Sequence, residues 1–564
     1  MPTPLPVPVP LGLSQAPSWR LTPRQLCDLE LLLDGAFAPL DGFLGRADYE
    51  SVCASMRLAS GALWPIPVTL DVSAEVAGAL HAGDALLLRD PEGFPLAVQR
   101  VEEVWELDPA ATAEQVYGTL DRTHPGVDHL FARKNRWAVG GPTERLAAPR
   151  HHDSLDLRLT PAQVRAEIAR RGWERAVAFQ TRNPLHRAHL ELTLRALAGG
   201  GGLLLHPVVG MTKPGDVDHF TRVRCYRAVL PHYPPGRVLL ALLPLAMRMA
   251  GPREALWHAL IRRNYGATDF IVGRDHASPG TDRQGRPFYG PFDAQALLER
   301  HRDEIGVRIL PFPEMVYSER DAAYKSADEI APGEAVVELS GTELRQRLAS
   351  GREIPSWFTT PEVERELRET CPPLVRRGLT IFFTGLSGSG KSTLASALLD
   401  RLLEIGTRPV TLLDGDLVRR VLSSELGFSR EHRDLNIRRI GFVAAEIGKH
   451  RGIALCAAIA PYDAARREVR AAVAAAGASF VLVHVATPLA TCEQRDAKGL
   501  YAKARAGTLP GFTGISDPYE VPEDADLVVD TSELSPAEGC ERIVAFLRQA
   551  GHLPAEGAGS EARG

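Results

Sequence analysis

Apolar positions along this chain gather into short unbroken runs, separated by turn residues and by stretches of helical spacing. Between residues 156 and 330 the runs are Ala176–Phe179, Leu203–Val209, Val238–Leu243, Phe270–Val272 and Val307–Leu310. Unbroken runs alternating with helix-forming stretches predict an α/β domain built on a buried parallel sheet. Residues 1–155 read differently. A Pro-rich arm, expected to be extended, reaches about residue 18. Beyond it Trp64–Val72, Ala85–Arg89 and Pro95–Val101 are cut by Gly, Pro and Asp, the pattern of a β-rich domain with tight turns. In residues 331–372 Ser340 and Glu343 form a capping box, and the break at Cys371, Pro372 and Pro373 predicts a boundary. A second α/β pattern fills 373–564, beginning with the strand run Leu379–Phe383 and the helical stretch Leu394–Leu403.

Chemistry concentrates where a run hands over to a helix. After Ala176–Phe179 come Gln180, Thr181, Arg182, Asn183, Pro184, Leu185, His186, Arg187, Ala188 and His189, then the leucine-rich stretch to Ala198. Asn183 suits an N-cap and Pro184 the first helical position. His186 and His189, three apart, share a face. The open N–H groups and positive dipole of a helix start attract phosphate. With Arg182 alongside, this is a site for a polyanion such as a nucleoside triphosphate. Two structural histidines are the plain alternative. Zinc helices place His four apart beside a carboxylate, and no Cys cluster is near, so no zinc is expected.

Composition narrows the classes. The 564 residues carry a net charge of −5, which gives no reason to expect nucleic acid. Only seven of the 65 cationic residues are Lys, so a Lys inside a motif is informative. The seven Cys are scattered without a CxxC pair, against a disulfide framework or a Cys-rich zinc site. The first residues lack a charged n-region, and no apolar run is long enough to span a membrane. A cytoplasmic protein is the simplest reading.

A second nucleotide site is explicit. Leu379–Phe383 is followed by Gly385-Leu386-Ser387-Gly388-Ser389-Gly390-Lys391-Ser392, then Thr393 and a helix: a P-loop in its strand–loop–helix context. Its amides cradle phosphates, Lys391 reaches the β/γ oxygens and Ser392 holds Mg²⁺. Downstream, Asp414 and Asp416 end another strand, where either could hold Mg²⁺ or accept a proton. Phe428, Arg433, Asn436 and Arg438 suit an anionic substrate, and Lys498 and Phe512 add a rare Lys and an aromatic.

The decapeptide Gln180–His189 closely resembles the signature of the ATP sulfurylase family, and Gly273-Arg274-Asp275-His276-Ala277 resembles its second signature. Gly35–Leu44, Leu63–Leu70 and His124–Val127 are similar to blocks of that family's N-terminal domain. The P-loop, Asp414-Gly415-Asp416, and the segments from Arg433, Lys498 and Gly511 resemble adenylylsulfate (APS) kinase. These resemblances imply a multidomain α/β chain: a β-rich PUA-like domain (1–155), a Rossmann-like nucleotidyltransferase domain (156–330), a small α/β lid region (331–372) and a P-loop kinase domain (373–564). They imply that ATP and sulfate give APS and pyrophosphate, and that a second ATP converts APS to PAPS. By resemblance, Gln180, Arg182, Arg274, Ala277 and Val316 hold sulfate or APS. Thr181, Arg182, Asn183, His186 and His189 act in catalysis, with Asn183 orienting pyrophosphate. Gln180, Asn183, His186, His189, Gly273 and His276 bind ATP, as does the loop Gly385–Thr393. APS lies among Asp414, Asp416, Phe428, Arg433, Asn436, Arg438, Ile459, Lys498 and Phe512, with Lys391 and Asp416 catalytic and Ser392 and Asp416 on Mg²⁺. A homo-oligomer is implied, and neither nucleic acid nor membrane. One departure stands out: Ala460 replaces the Ser that the kinase family commonly carries before Pro461-Tyr462, which favours direct transfer over a phospho-enzyme. Two alternatives remain, a C-terminal domain that only binds PAPS as a regulator, and a sulfurylase running in reverse to make ATP.

Overall fold

A computed structural model describes residues 15–213, 215–496 and 498–555. Most of the Pro-rich arm, and Pro214, lie outside them. The chain divides into two compact units. One comprises 1–339 with 355–366, the other 340–354 with 367–564.

The first unit holds three sheets. A seven-stranded, mostly antiparallel sheet belongs to its β-rich part, with Trp137–Arg145 pairing strands on both sides. Of the expected strand Trp64–Val72 only Leu70–Val72 pairs, because Pro65 and Pro67 have no N–H for a ladder. A five-stranded parallel sheet follows, ordered Val238–Leu240, Gly202–Leu205, Ala176–Phe179, Asp269–Val272 and Arg308–Pro311. Its three central strands are buried along their whole length, as a parallel sheet covered on both faces requires. Ala176–Phe179 is the middle strand, so its carboxyl end opens at the centre of the sheet edge. The third sheet is small and antiparallel, with Met315–Ser318 between Ala323–Ser326 and Val336–Val337.

The second unit is a five-stranded parallel sheet, ordered Val410–Asp414, Ile453–Ala457, Leu379–Thr384, Ser479–Val485 and Leu527–Val529. Again the strand that precedes the glycine-rich loop is central. Helix Lys391–Ile405 buries Leu394, Ala395, Leu398 and Leu402 against it, at helical spacing, and stops at Gly406 in the left-handed conformation. Among the described residues no helix is long and apolar enough to cross a membrane.

Candidate functional site

In the first unit Gln180 follows the central strand directly, at the edge where such sheets bind ligands. The Thr181 hydroxyl accepts from the Asn183 amide and donates to the Asn183 carbonyl, both at 3.1 Å. Tyr226 donates to the same carbonyl at 2.9 Å. The helix begins later than the sequence predicts: it spans Arg187–Leu197, with His186 rather than Asn183 as N-cap. Pro184 disfavours a helical Asn183, and Leu185 is fully buried, so the chain stays extended through His186.

That shift decides the protonation of the site. The His186 amide donates to Nδ1 of His189 at 3.3 Å, so Nδ1 carries no proton and Nε2 is the donor. The rings are 6.2 Å apart. His186 is held by the Thr359 hydroxyl, 3.1 Å from its Nδ1, and by the Phe358 ring at 4.4 Å. Burial, then the neighbouring His189, pushes His186 down to about 3; burial pushes His189 down to about 4. Burial therefore favours the neutral form of both imidazoles, a form suited to N–H donation.

The charged donors have partners that the sequence did not reveal. Arg182 Nη1 donates to both oxygens of Asp216, at 2.5 and 2.6 Å. Arg274 donates to Glu314 at 2.5 Å and lies 3.2 Å from Asp275. The second signature is a tight loop: Asp275 and Ala277 both take φ of 54°, a conformation that non-glycine residues adopt at a cost and that gathers at functional sites. The Ala277 carbonyl accepts from Gly251 at 3.2 Å, and Lys213 reaches the Pro279 carbonyl at 2.7 Å. His276 Nε2 lies 3.0 Å from Nδ1 of fully buried His258, whose Nε2 faces buried Glu254 at 3.5 Å. His258 therefore orients His276, with Glu254 as its charged neighbour. Glu254 and His258, four apart in the buried helix Gly251–Asn264, were not singled out from sequence; their i, i+4 spacing was the available signal. Val316 is buried in Met315–Ser318, two residues from Glu314, and Gln180 Nε2 is buried without an acceptor.

In the second unit Gly385, Gly388 and Gly390 take φ of 151°, 74° and 95°. At Gly390 a Cβ would also come within 3.2 Å of Thr531, so the loop needs glycine there. Buried Lys391 bends back onto the carbonyls of Gly385 and Leu386, at 2.9 and 2.7 Å. Burial lowers its ammonium to about 8. Ser389 is fully buried, its carbonyl accepting from Thr487 and Thr531.

A cavity of about 1180 Å³ opens over this loop. Ser387, Gly388, Gly390, Lys391, Ser392 and Thr393 line one side. Asp414, Asp416, Phe428, Arg433, Asn436, Ile459, Lys498 and Phe512 line the rest. Arg438 does not line this cavity and pairs with Glu468 at 2.5 Å. Two residues beyond Asn436 on helix Arg430–Lys449, it is turned about 200° away. The two carboxylates divide their contacts. Ser392 donates to Asp414 at 2.7 Å, whereas Asp416 pairs with Lys498. Arg433 donates to Asp517 at 2.8 Å, which also accepts from Tyr462 at 2.7 Å. Arg419, not singled out from sequence, lines the cavity and stacks 4.5 Å over Phe428. Its signal was spacing, three residues after Asp416. Among the described residues no three His, Cys, Asp or Glu cluster as a metal cage. The Ser392 and Asp414 oxygens suit a hard cation that also takes ligands from phosphate.

Comparison with known proteins follows the same division. A family model for ATP-sulfurylase matches residues 155–370, one for adenylylsulphate kinase 377–530, and one for a PUA-like domain 12–148. The chain is 52% identical over 541 residues to a sulfate adenylyltransferase of Phaeosphaeria nodorum, covering 95% of this chain and 94% of that one. It is 50% identical to one of Aspergillus fumigatus, with the same coverage. A solved structure described as a hexameric APS kinase from Thiobacillus denitrificans superimposes with a TM-score of 0.78 at 39% identity, covering 96% of this chain and 94% of that one. The chain belongs to the sulfate adenylyltransferase (ATP sulfurylase) family and carries an adenylylsulfate kinase domain in its C-terminal part.

Proposed function

We propose that the two anion cradles, each built where the central strand of a parallel sheet hands over to a helix, carry the two reactions of sulfate activation. The enzyme is bifunctional. In the first reaction a sulfate oxygen attacks the α-phosphorus of ATP, the bond to the β-phosphate oxygen breaks, and APS and pyrophosphate leave. The protein supplies position and electrostatics and no nucleophile. His189 Nε2 and the His186 ring lend neutral donors to the phosphoryl oxygens, Asn183 orients pyrophosphate, and Thr181 fixes the turn that presents them. Gln180, Arg182, Arg274 and the Ala277 backbone hold sulfate, beside Val316. Gly273 and His276 meet the nucleotide. Because Arg182 and Arg274 already face Asp216 and Glu314, sulfate competes with carboxylates for both.

In the second reaction the 3′-hydroxyl of APS attacks the γ-phosphorus of a second ATP, giving PAPS and ADP. Asp416 takes the hydroxyl proton once released from Lys498. Lys391 and the loop amides neutralise the transferring phosphoryl. Mg²⁺, generally required by both domain types, screens phosphate charge, and Ser392 with Asp414 is the pair that fits it. With Ala460 before Pro461, transfer is direct. APS rests among Phe428, Arg433, Asn436, Ile459, Lys498 and Phe512, with Arg419 added by its stacking. We read the four domains as 1–155, 156–330, 331–372 and 373–564, and the enzyme as a cytoplasmic homo-oligomer, in keeping with the hexameric description of the Thiobacillus protein.

The deciding observation is the open cavity over an intact phosphate loop in a chain that also carries the first signature. Incubation with ATP, Mg²⁺ and labelled sulfate should give labelled APS and then PAPS. Pyrophosphate release without sulfate dependence would overturn the first reaction. APS that never becomes PAPS would favour a regulatory C-terminal domain.

A further inference from the structure

The β-rich part of the first unit contains a second cationic pocket, lined by none of the residues of the His186 and His189 site. It is a cavity of about 30 Å³ whose wall includes four guanidinium groups, of Arg24, Arg133, Arg136 and Arg248, with Tyr49 and Tyr117, and no carboxylate. Arg248 is 4% exposed and donates to Asp28 at 2.6 Å. Arg133 has only a loose partner, Asp71 at 3.6 Å, and its Nε is buried without an acceptor. Arg24 Nε is likewise buried without an acceptor, and no ion pair joins Arg24 to another described residue. Asp28 and Asp71 thus face two of the four cations, and buried Glu254, which accepts from the Arg248 amide at 2.8 Å, adds to the countercharge at Arg248 alone.

Buried charge is tolerated when it is paired and hydrogen-bonded. Here burial, then Arg248, holds the Arg24 guanidinium down to about 9. Burial and then the same cations, Arg24 first, hold neighbouring His129 down to about 2, so that side chain adds no charge. The wall therefore gathers more cations than carboxylates, with the Nε of Arg24 and of Arg133 lacking acceptors. That space admits a single small ion and not a nucleotide, whose pockets run to hundreds of Å³.

We propose that this cavity binds one small inorganic anion, a halide or a single tetrahedral oxyanion such as sulfate, between Arg24, Arg133 and Arg248. The ion supplies the missing countercharge and fastens the helix Pro23–Leu33 to the loop around Arg248. The full-length protein is crystallised in halide-free, sulfate-free buffer and soaked in bromide. An anomalous peak among the three guanidinium groups is expected, and water alone there overturns the proposal. Displacement of that peak by sulfate identifies an oxyanion site, and its persistence a halide site. In solution, the thermal midpoint of the wild type should rise along a saturable curve with bromide, and that of Arg24→Met should not. Without added anion, Arg24→Met should be as stable as the wild type or more so, since it removes an unpaired buried charge. A constant deficit of the variant at every bromide concentration would mean that Arg24 serves packing alone, and would overturn the site. Should Arg24→Met fail to fold, the wild-type soak and titration still decide.

Discussion

A single imidazole shows how little freedom the first site has. His189 gives its Nδ1 to a backbone amide and presents Nε2–H outward, in a pocket where it stays neutral far below pH 6. His189→Ala removes the donor and the cap together. APS formation should fall by about 100-fold or more, the cost of losing one preorganised donor to a developing oxyanion, while added APS is still phosphorylated normally. Near-wild-type APS formation would refute the role. Much of this was readable beforehand: the residue types, their spacing and the strand before them marked this strand end as the candidate site. Its partners were not. Asp216 lies 34 residues from Arg182 and Thr359 lies 173 from His186, and no local pattern links such pairs. The helix start was misplaced because two rules competed: Asn-Pro reads as a cap, yet proline also forbids a helical residue before it.

At the scale of elements, the glycine-rich loop was fully legible because its requirements are local: a strand, three unusual backbone angles and a helix. The face of a helix is less so. Arg433 and Asn436 reach the cavity and Arg438 does not, a matter of phase that a cluster of polar residues hides. Short strands were likewise overextended wherever proline removed a ladder donor. Gly390→Ala tests the loop. The substitution forces a side chain into φ of 95° and against Thr531 at 3.2 Å, so the loop must shift. A displacement of about 1 Å can cost about 100-fold, so PAPS formation should drop at least that much. APS formation should be unchanged, because the first cradle shares none of this backbone. Measuring both products separately checks it, and equal loss of the two would point to global misfolding instead.

Across the whole molecule the two units should respond differently to acid and to each other. In the first unit burial is the leading cause that holds His124 near 4, His186 near 3 and His189 near 4. These groups are neutral when folded and take up protons on unfolding once the pH is below about 6.5. Their contribution to stability is complete above that value. It declines as pH falls toward about 4, at about 1.4 kcal/mol per pH unit for each group. Burial also lowers His484 and His552 of the second unit, but they are fewer, so APS formation should be lost at a higher pH than phosphorylation of supplied APS, and the reverse order would contradict the assignment. Coupling between the reactions follows from mass action. The phosphosulfate anhydride gives up its adenylyl group to pyrophosphate, with sulfate leaving, so readily that the first equilibrium favours ATP and sulfate. Forward flux then depends on removing APS or pyrophosphate. Lys391→Met removes the buried ammonium that now rests on the Gly385 carbonyl and that we assign to the transferring phosphoryl, and should abolish PAPS. Sulfate-dependent pyrophosphate release should then stall at a low plateau, although the first site is intact. Adding inorganic pyrophosphatase should restore it, whereas the wild type should run on without help. A variant that released pyrophosphate at the wild-type rate unaided would show that the kinase unit does not draw the first reaction forward.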